Sequence, residues 1–209
     1  MPSLDDVQFN TTGWEPLEES GDHRLKWANG WGDVLSIRYQ GTPPQMPSLF
    51  RLQALKDYHT RQLQASGGAI LSLDLLQVKG VSVGKLLFKS MQPAGGWGYM
   101  GMLFLPYRDF SYSIRIQALE RAGDEARGQH VWTMLHHSQP SDADCNALWF
   151  DLESAPEDIN TARHCMADED RWDTEFPHHP LSRLRAELTR MVPTLVVSRE
   201  VKNSAPHRG

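Results

Sequence analysis

Residues 69–118 constrain the fold more than any other part of the chain. Four apolar-rich runs, 70–78, 81–91, 99–105 and 110–118, follow one another with only short breaks between them. Two of the breaks are Lys79-Gly80 and Pro106-Tyr107-Arg108-Asp109, residue types that close hairpins. In the last run Phe110, Tyr112, Ile114, Ile116 and Ala118 alternate with Ser111, Ser113, Arg115 and Gln117. A period of two with one polar face is the pattern of an antiparallel strand. Strands joined by short turns leave no room for the crossovers that parallel pairing needs. The fold class that follows is α+β, a twisted antiparallel sheet flanked by helices.

The flanking segments complete that expectation. Arg24-Leu25-Lys26-Trp27 and the alternating run 34–39 surround Asn29-Gly30 and predict a further hairpin. Leu49, Leu52, Leu55, Tyr58 and Leu63 lie at helical spacing, with Pro47 before them and Gly67-Gly68 after, so a helix is expected over 47–66. A second helix is expected over 124–137, with Val131, Met134 and Leu135 inward. Pro180 opens a third, 180–191, carrying Leu181, Leu184, Leu188 and Met191. Residues 195–201 read as a last strand and 203–209 as a frayed tail. The expected core includes Leu52, Leu55, Leu73, Phe88, Leu103, Ile114, Ile116, Leu184 and Leu188, with Trp14 and Trp27 filling helix–sheet seams. No repeat or low-complexity linker divides the 209 residues, so a single domain over 1–209 is expected. It comprises a core over 7–138, an irregular acidic segment over 140–177, and a helix and strand over 178–201 packed on that core.

Composition limits the function classes. Hydrophobic residues at 40% and charged residues at 22% belong to a soluble globule. The chain is long enough to bury about 70% of its unfolded surface without staples. No apolar run nears the roughly 18 residues of a membrane span. The start carries Asp5 and Asp6 and no basic-then-apolar pattern, so no secretory signal and a cytoplasmic location are expected. The two cysteines, Cys145 and Cys165, are compatible with that compartment. Charge is uneven: 140–177 carries a net −9, and 178–209 a net +4. Arg183, Arg185 and Arg190 are expected to meet the acidic segment as exposed ion pairs worth little each. No concentrated basic face emerges, so nucleic acid is not the expected partner.

Four patterns resemble chemistry. Gly96-Trp97-Gly98-Tyr99-Met100-Gly101 spells a dinucleotide fingerprint, but strand-like residues follow where a helix is needed. Gly80-Val81-Ser82-Val83-Gly84 spells a nucleophile elbow, with Asp109 and His136 downstream, but it sits inside a hairpin. Asp142, Asp144, Asn146 and Glu153 have calcium-loop spacing, with Ala147 where the loop needs glycine; a helix-start cluster is the simpler reading. Nine histidines include two adjacent pairs, which diverge on any regular backbone. Cys145, His164 and Cys165 could hold zinc only if the segment 142–173 folds back over the sheet. Trp31 and Trp97, beside turn glycines, and the neighbouring Tyr99 are the candidate binding surface.

The order of elements, an opening strand pair with Trp14, a Pro-flanked helix at 47–66, two long hairpins and a helix after Ala118, resembles the PsbP-like group of folds, which includes bacterial DcrB-like proteins and a Ran-binding import factor. The resemblance covers about residues 7–138 and is topological. The segment 176–185, Phe-Pro-His-His-Pro-Leu-Ser-Arg-Leu-Arg, is similar to one in uncharacterised bacterial proteins. The fold group implies a binding or accessory role, so the expectation is a non-enzymatic bacterial accessory protein that recognises another protein and needs no cofactor. The competing readings are a metal-binding protein or metal-dependent hydrolase, and a binder of a small apolar ligand in a sheet–helix groove.

Overall fold

A computed structural model describes residues 2–18, 21, 23–64, 67–93, 95–136 and 165–209. The elements are β1 (Val7–Gln8), β2 (Glu15–Pro16), β3 (Arg24–Ala28), β4 (Val34–Gln40), α1 (Leu52–Gln64), β5 (Ala69–Val78), β6 (Val81–Met91), β7 (Trp97–Pro106), β8 (Ser111–Leu119), α2 (Ala126–His136), α3 (Pro180–Met191), β9 (Val196–Val197) and α4 (Arg199–Lys202). Seven strands form one antiparallel sheet in the order β2-β3-β4-β8-β7-β6-β5. The α+β class expected from the sequence is the one observed.

The hairpin turns lie where the sequence puts them. Val78 pairs with Val81 across Lys79 and Gly80, whose φ values of 48° and 84° give the doubly left-handed turn that suits strand twist. Pro106 pairs with Ser111 across the second break. The β3–β4 connection is looser than a two-residue turn: Asn29 Oδ1 accepts from the amides of Trp31 and Asp33, making a five-residue loop over 29–33.

The two sheet faces differ. On one, Leu35, Ile37, Leu103, Ile114 and Ile116 are buried under α3, whose Leu181, Leu184, Leu188 and Met191 are no more than 4% exposed. Gly101 permits that approach, since a Cβ there would stand 2.7 Å from Leu188 Cδ1 and 2.8 Å from Leu184 Cδ2. On the other face α1 lays Leu55 and Leu63 against Ile70, Leu86 and Phe104. Gly84 belongs to this layer, because any side chain there would meet the Phe104 ring. The glycines of both motif-like stretches thus serve turns and close packing.

Several expectations need correction. Leu52 is 47% exposed at the first position of α1. Leu73 and Phe88 are only partly buried, at the border of the α1 layer. Met134 is 57% exposed on α2 while Val131 is fully buried. The expected strand over 195–201 is two residues of strand followed by a helical turn, started when Ser198 caps the amide of Val201. β9 pairs with β1, bringing the two ends of the chain together. The tail is not frayed. Arg108 N donates to Ala205 O, His207 N to Pro106 O, and His207 Nε2 lies 2.7 Å from Met46 O.

Arg183 also departs from expectation. It leaves the acidic segment and closes on Asp33 with two bonds of 3.0 and 2.6 Å, with only 13% and 4% of the two side chains exposed. Arg185 does reach that segment, at Asp173 and the Asp168 carbonyl, whereas Arg190 pairs with Glu187 within α3. The cation that ties the layers together is Arg127 of α2, 1% exposed, which donates to the carbonyls of Ala167 and Glu169, to Asp173 and to Ser182. The candidate calcium loop and the rest of the acidic segment from 140 to 164 lie outside the described residues.

Candidate functional site

α1 covers only part of its sheet face, and this leaves a groove. The helix sits against β5, contributing Tyr58, His59, Gln62 and Leu63 as one wall. Leu86, Phe88, Met100, Met102 and Phe104 of β6 and β7 form an apolar floor. Ser111, Ser113 and Arg115 of β8 form a polar far side, and the turn through Pro44, Gln45 and Met46 closes one end. The cavity volume is about 400 Å³. The polar side follows directly from the strand's period of two, which sends Phe110, Tyr112, Ile114 and Ile116 to the α3 side.

His59 gives the groove wall a pronounced electrostatic feature. Its ring is 8% exposed, packed edge-on to Phe104 and Tyr58, and its Nε2 is buried with no hydrogen-bond partner among the described residues. Burial pushes its pKa down to about 4, so the imidazole is neutral at physiological pH. A buried, unsatisfied ring nitrogen is costly unless something completes it. The arrangement can hold an apolar group against methionine and phenylalanine while offering one hydrogen bond at the wall and polar contacts along β8.

The residues singled out from the sequence lie on the opposite face. Trp31 is 47% exposed, stacks on His178 at 5.1 Å between centroids and carries the Arg183 guanidinium over its ring. Trp97 is half-buried under the Lys89 ammonium, 4.4 Å from the ring centroid. Tyr99 is 3% exposed, so it belongs to the core and cannot be surface: its hydroxyl donates to Glu120 at 2.8 Å and its ring meets His179 edge-on. Burial, aided by the nearby Glu120 and Asp168 carboxylates, pushes the Tyr99 phenol well above its ordinary range.

Of the proposed metal ligands, Cys145 and His164 lie outside the described residues. Cys165 is 3.7 Å from Lys89 Nζ, which in turn donates to Asp168 at 2.6 Å in a sealed ion pair. Burial and then Asp168 push the thiol up to about 12, so it is held as SH and not as a nucleophile or metal-ready thiolate. Desolvation works against the charge on Lys89, but the Asp168 carboxylate outweighs it and holds the ammonium protonated. Among the described residues no three His, Cys, Asp or Glu side chains converge to hold a metal. Ser82 of the elbow-like stretch accepts a bond from Gln77 Nε2 across the hairpin at 2.7 Å.

Sequence reasoning named a sheet–helix groove as an alternative but did not place it, and of the floor residues it assigned only Phe88, to the core. The available signal was the pair Met100 and Met102 on the same strand face as Gly98, small and adaptable residues where a closed core would use branched ones.

No family model matches the chain, and no curated protein matches it. Among solved structures, the Ran-binding protein Mog1p of Saccharomyces cerevisiae is 12% identical, with 96% of each chain covered and a TM-score of 0.48. Cyanobacterial PsbP (CyanoP) of Synechocystis sp. PCC 6803 is 13% identical over 66% of this chain and 87% of that one, with a TM-score of 0.37. A Pseudomonas aeruginosa protein of unknown function, PA94, a putative regulator, is 16% identical over 68% and 88%, with a TM-score of 0.32. At these values the likenesses carry no argument about what this chain does. Among the described residues no helix is long and apolar enough to cross a membrane.

Proposed function

We propose that this chain is a non-enzymatic accessory module of the bacterial cytoplasm that binds a short segment of another protein in the groove beside α1. The observation that carries the reading is the groove itself, apolar along its floor and furnished at its wall with His59 Nε2, which has no partner among the described residues. Interface cores favour this mixture of aromatic and methionine side chains within a polar rim. A partner that supplies one polar atom to His59 and one or two apolar side chains to the floor would satisfy both features. The second reading, a small apolar ligand, draws support from the volume of about 400 Å³, which lies within the roughly 300–1,000 Å³ of small-molecule sites. Quantitative affinity capture with wild type and with Ser113→Trp, which fills the groove from β8, tests the first. The expected result is a set of proteins retained by wild type and lost from the variant. Identical capture by both removes the groove from the interaction. A small molecule that co-purifies with wild type in native mass spectrometry, and is absent from the variant, shifts the assignment to the second reading.

A further inference from the structure

The half of the sheet face left uncovered by α1 carries a row of arginines. β8, β4 and β3 present Arg115, Arg38 and Arg24 on this face beside Ser113, Ser111 and Gln40. The register sets Arg24 directly opposite Arg38, and Arg38 opposite Ser113, one step along the same face from Arg115. Like charges at directly opposed positions destabilise a sheet. Desolvation, then the fields of Arg38 and Arg24, lowers the pKa of Arg115. None of the three has an acidic partner among the described residues. Arg108, Arg127, Arg171, Arg183, Arg185 and Arg190 all do. The chain carries a net charge of −5, so carboxylates are not scarce, yet among the described residues none pairs with this row. Arg115 also lines the groove, so the row continues the groove's polar side across the sheet.

We infer that the segment bound in the groove is acidic where it leaves the cavity over β8, its carboxylates resting on Arg115, Arg38 and Arg24. The inference rests on the peptide-binding reading of the groove. Each arginine offers a planar fork matched to a carboxylate, and binding relieves a repulsion that the free protein carries. Phosphate of a nucleic acid has the same charge, but three cations are few beside the roughly six to ten phosphate contacts of such proteins. The row is also continuous with a floor of methionine and phenylalanine that suits apolar side chains.

The test is selection of a phage-displayed random dodecapeptide library on the full chain, with Arg38→Glu and Ser113→Trp chains in parallel. Wild type should enrich peptides with one or two large apolar residues followed or preceded by Asp and Glu. Synthetic versions should bind Arg38→Glu at least about tenfold more weakly, a loss that 0.5 M salt imitates on wild type. Apolar peptides without acidic enrichment, lost on Ser113→Trp but retained on Arg38→Glu, overturn the inference and leave the groove reading standing. A library that yields nothing above background overturns both. Tight, Arg38-dependent binding of a single-stranded oligonucleotide reassigns the row to phosphate and overturns it as well. The three arginines are exposed, so the variants are expected to fold. Arg38→Ser should melt slightly above wild type, an independent sign of the repulsion.

Discussion

Replacing Arg183 with alanine removes the only cation within salt-bridge distance of Asp33 among the described residues and leaves a carboxylate that is 4% exposed. What remains to solvate it is the Asn29 side-chain amide, 3.1 Å from Oδ2. Breaking a buried ion pair from one side costs about 3–5 kcal/mol. The surviving Asn29 bond and the 13% exposure of Arg183, which lets water enter its place, argue for the lower end, about 3 kcal/mol. For a chain of this size about 2–4 °C is lost per kcal/mol, so the melting temperature should fall by about 6–12 °C. Arg190→Ala is the control, since its pair with Glu187 is 33% and 25% exposed and such pairs are worth about 0–1 kcal/mol. Differential scanning calorimetry on the two variants and on Asp33→Asn/Arg183→Met separates the contributions. The double variant should recover much of the loss, because it buries no unpaired charge. If Arg183→Ala and Arg190→Ala melt together, the reasoning about Asp33 is wrong.

Other outcomes are equally specific. Gly101→Val should lower stability by about 1–3 kcal/mol through overpacking against Leu184 and Leu188, measured by urea unfolding. Leu184→Ala, at a position 1% exposed, should cost about 2–5 kcal/mol, and a chain ending at Asp170 should lose its cooperative transition, since the sheet face under α3 is then bare. His59 titrates at about 4 in the folded chain and near 6.5 unfolded, so the unfolded state binds more protons between those values. Stability should be fully present above about pH 6.5 and decline towards pH 4 by up to roughly 2–3 kcal/mol. His59→Gln should flatten that part of a stability–pH curve, and an unchanged curve would mean the ring is solvated. Arg127→Met should uncouple α2 from residues 165–173, read as faster amide exchange confined to that region.

Much of the architecture was legible locally, because hairpins and short helices are set by neighbours in sequence. Lys79-Gly80 can adopt its turn whatever surrounds it, and Phe110 through Ala118 must alternate on any pleated strand. The helix opened by Pro180 runs to Met191 as its leucine spacing requires. The tail over 203–209 looked frayed because its anchors at Pro106, Arg108 and Met46 are about a hundred or more positions away. Only tertiary structure could decide which arginine meets which acid. Arg183 and Asp33 are 150 residues apart and became partners when α3 crossed the β3–β4 loop. Arg24, Arg38 and Arg115, unremarkable singly, became a row only through strand register. The groove has the same origin. Local pattern shows that Met100 and Met102 face away from α3, but only the width of the sheet against the length of α1 decides that part of that face stays open.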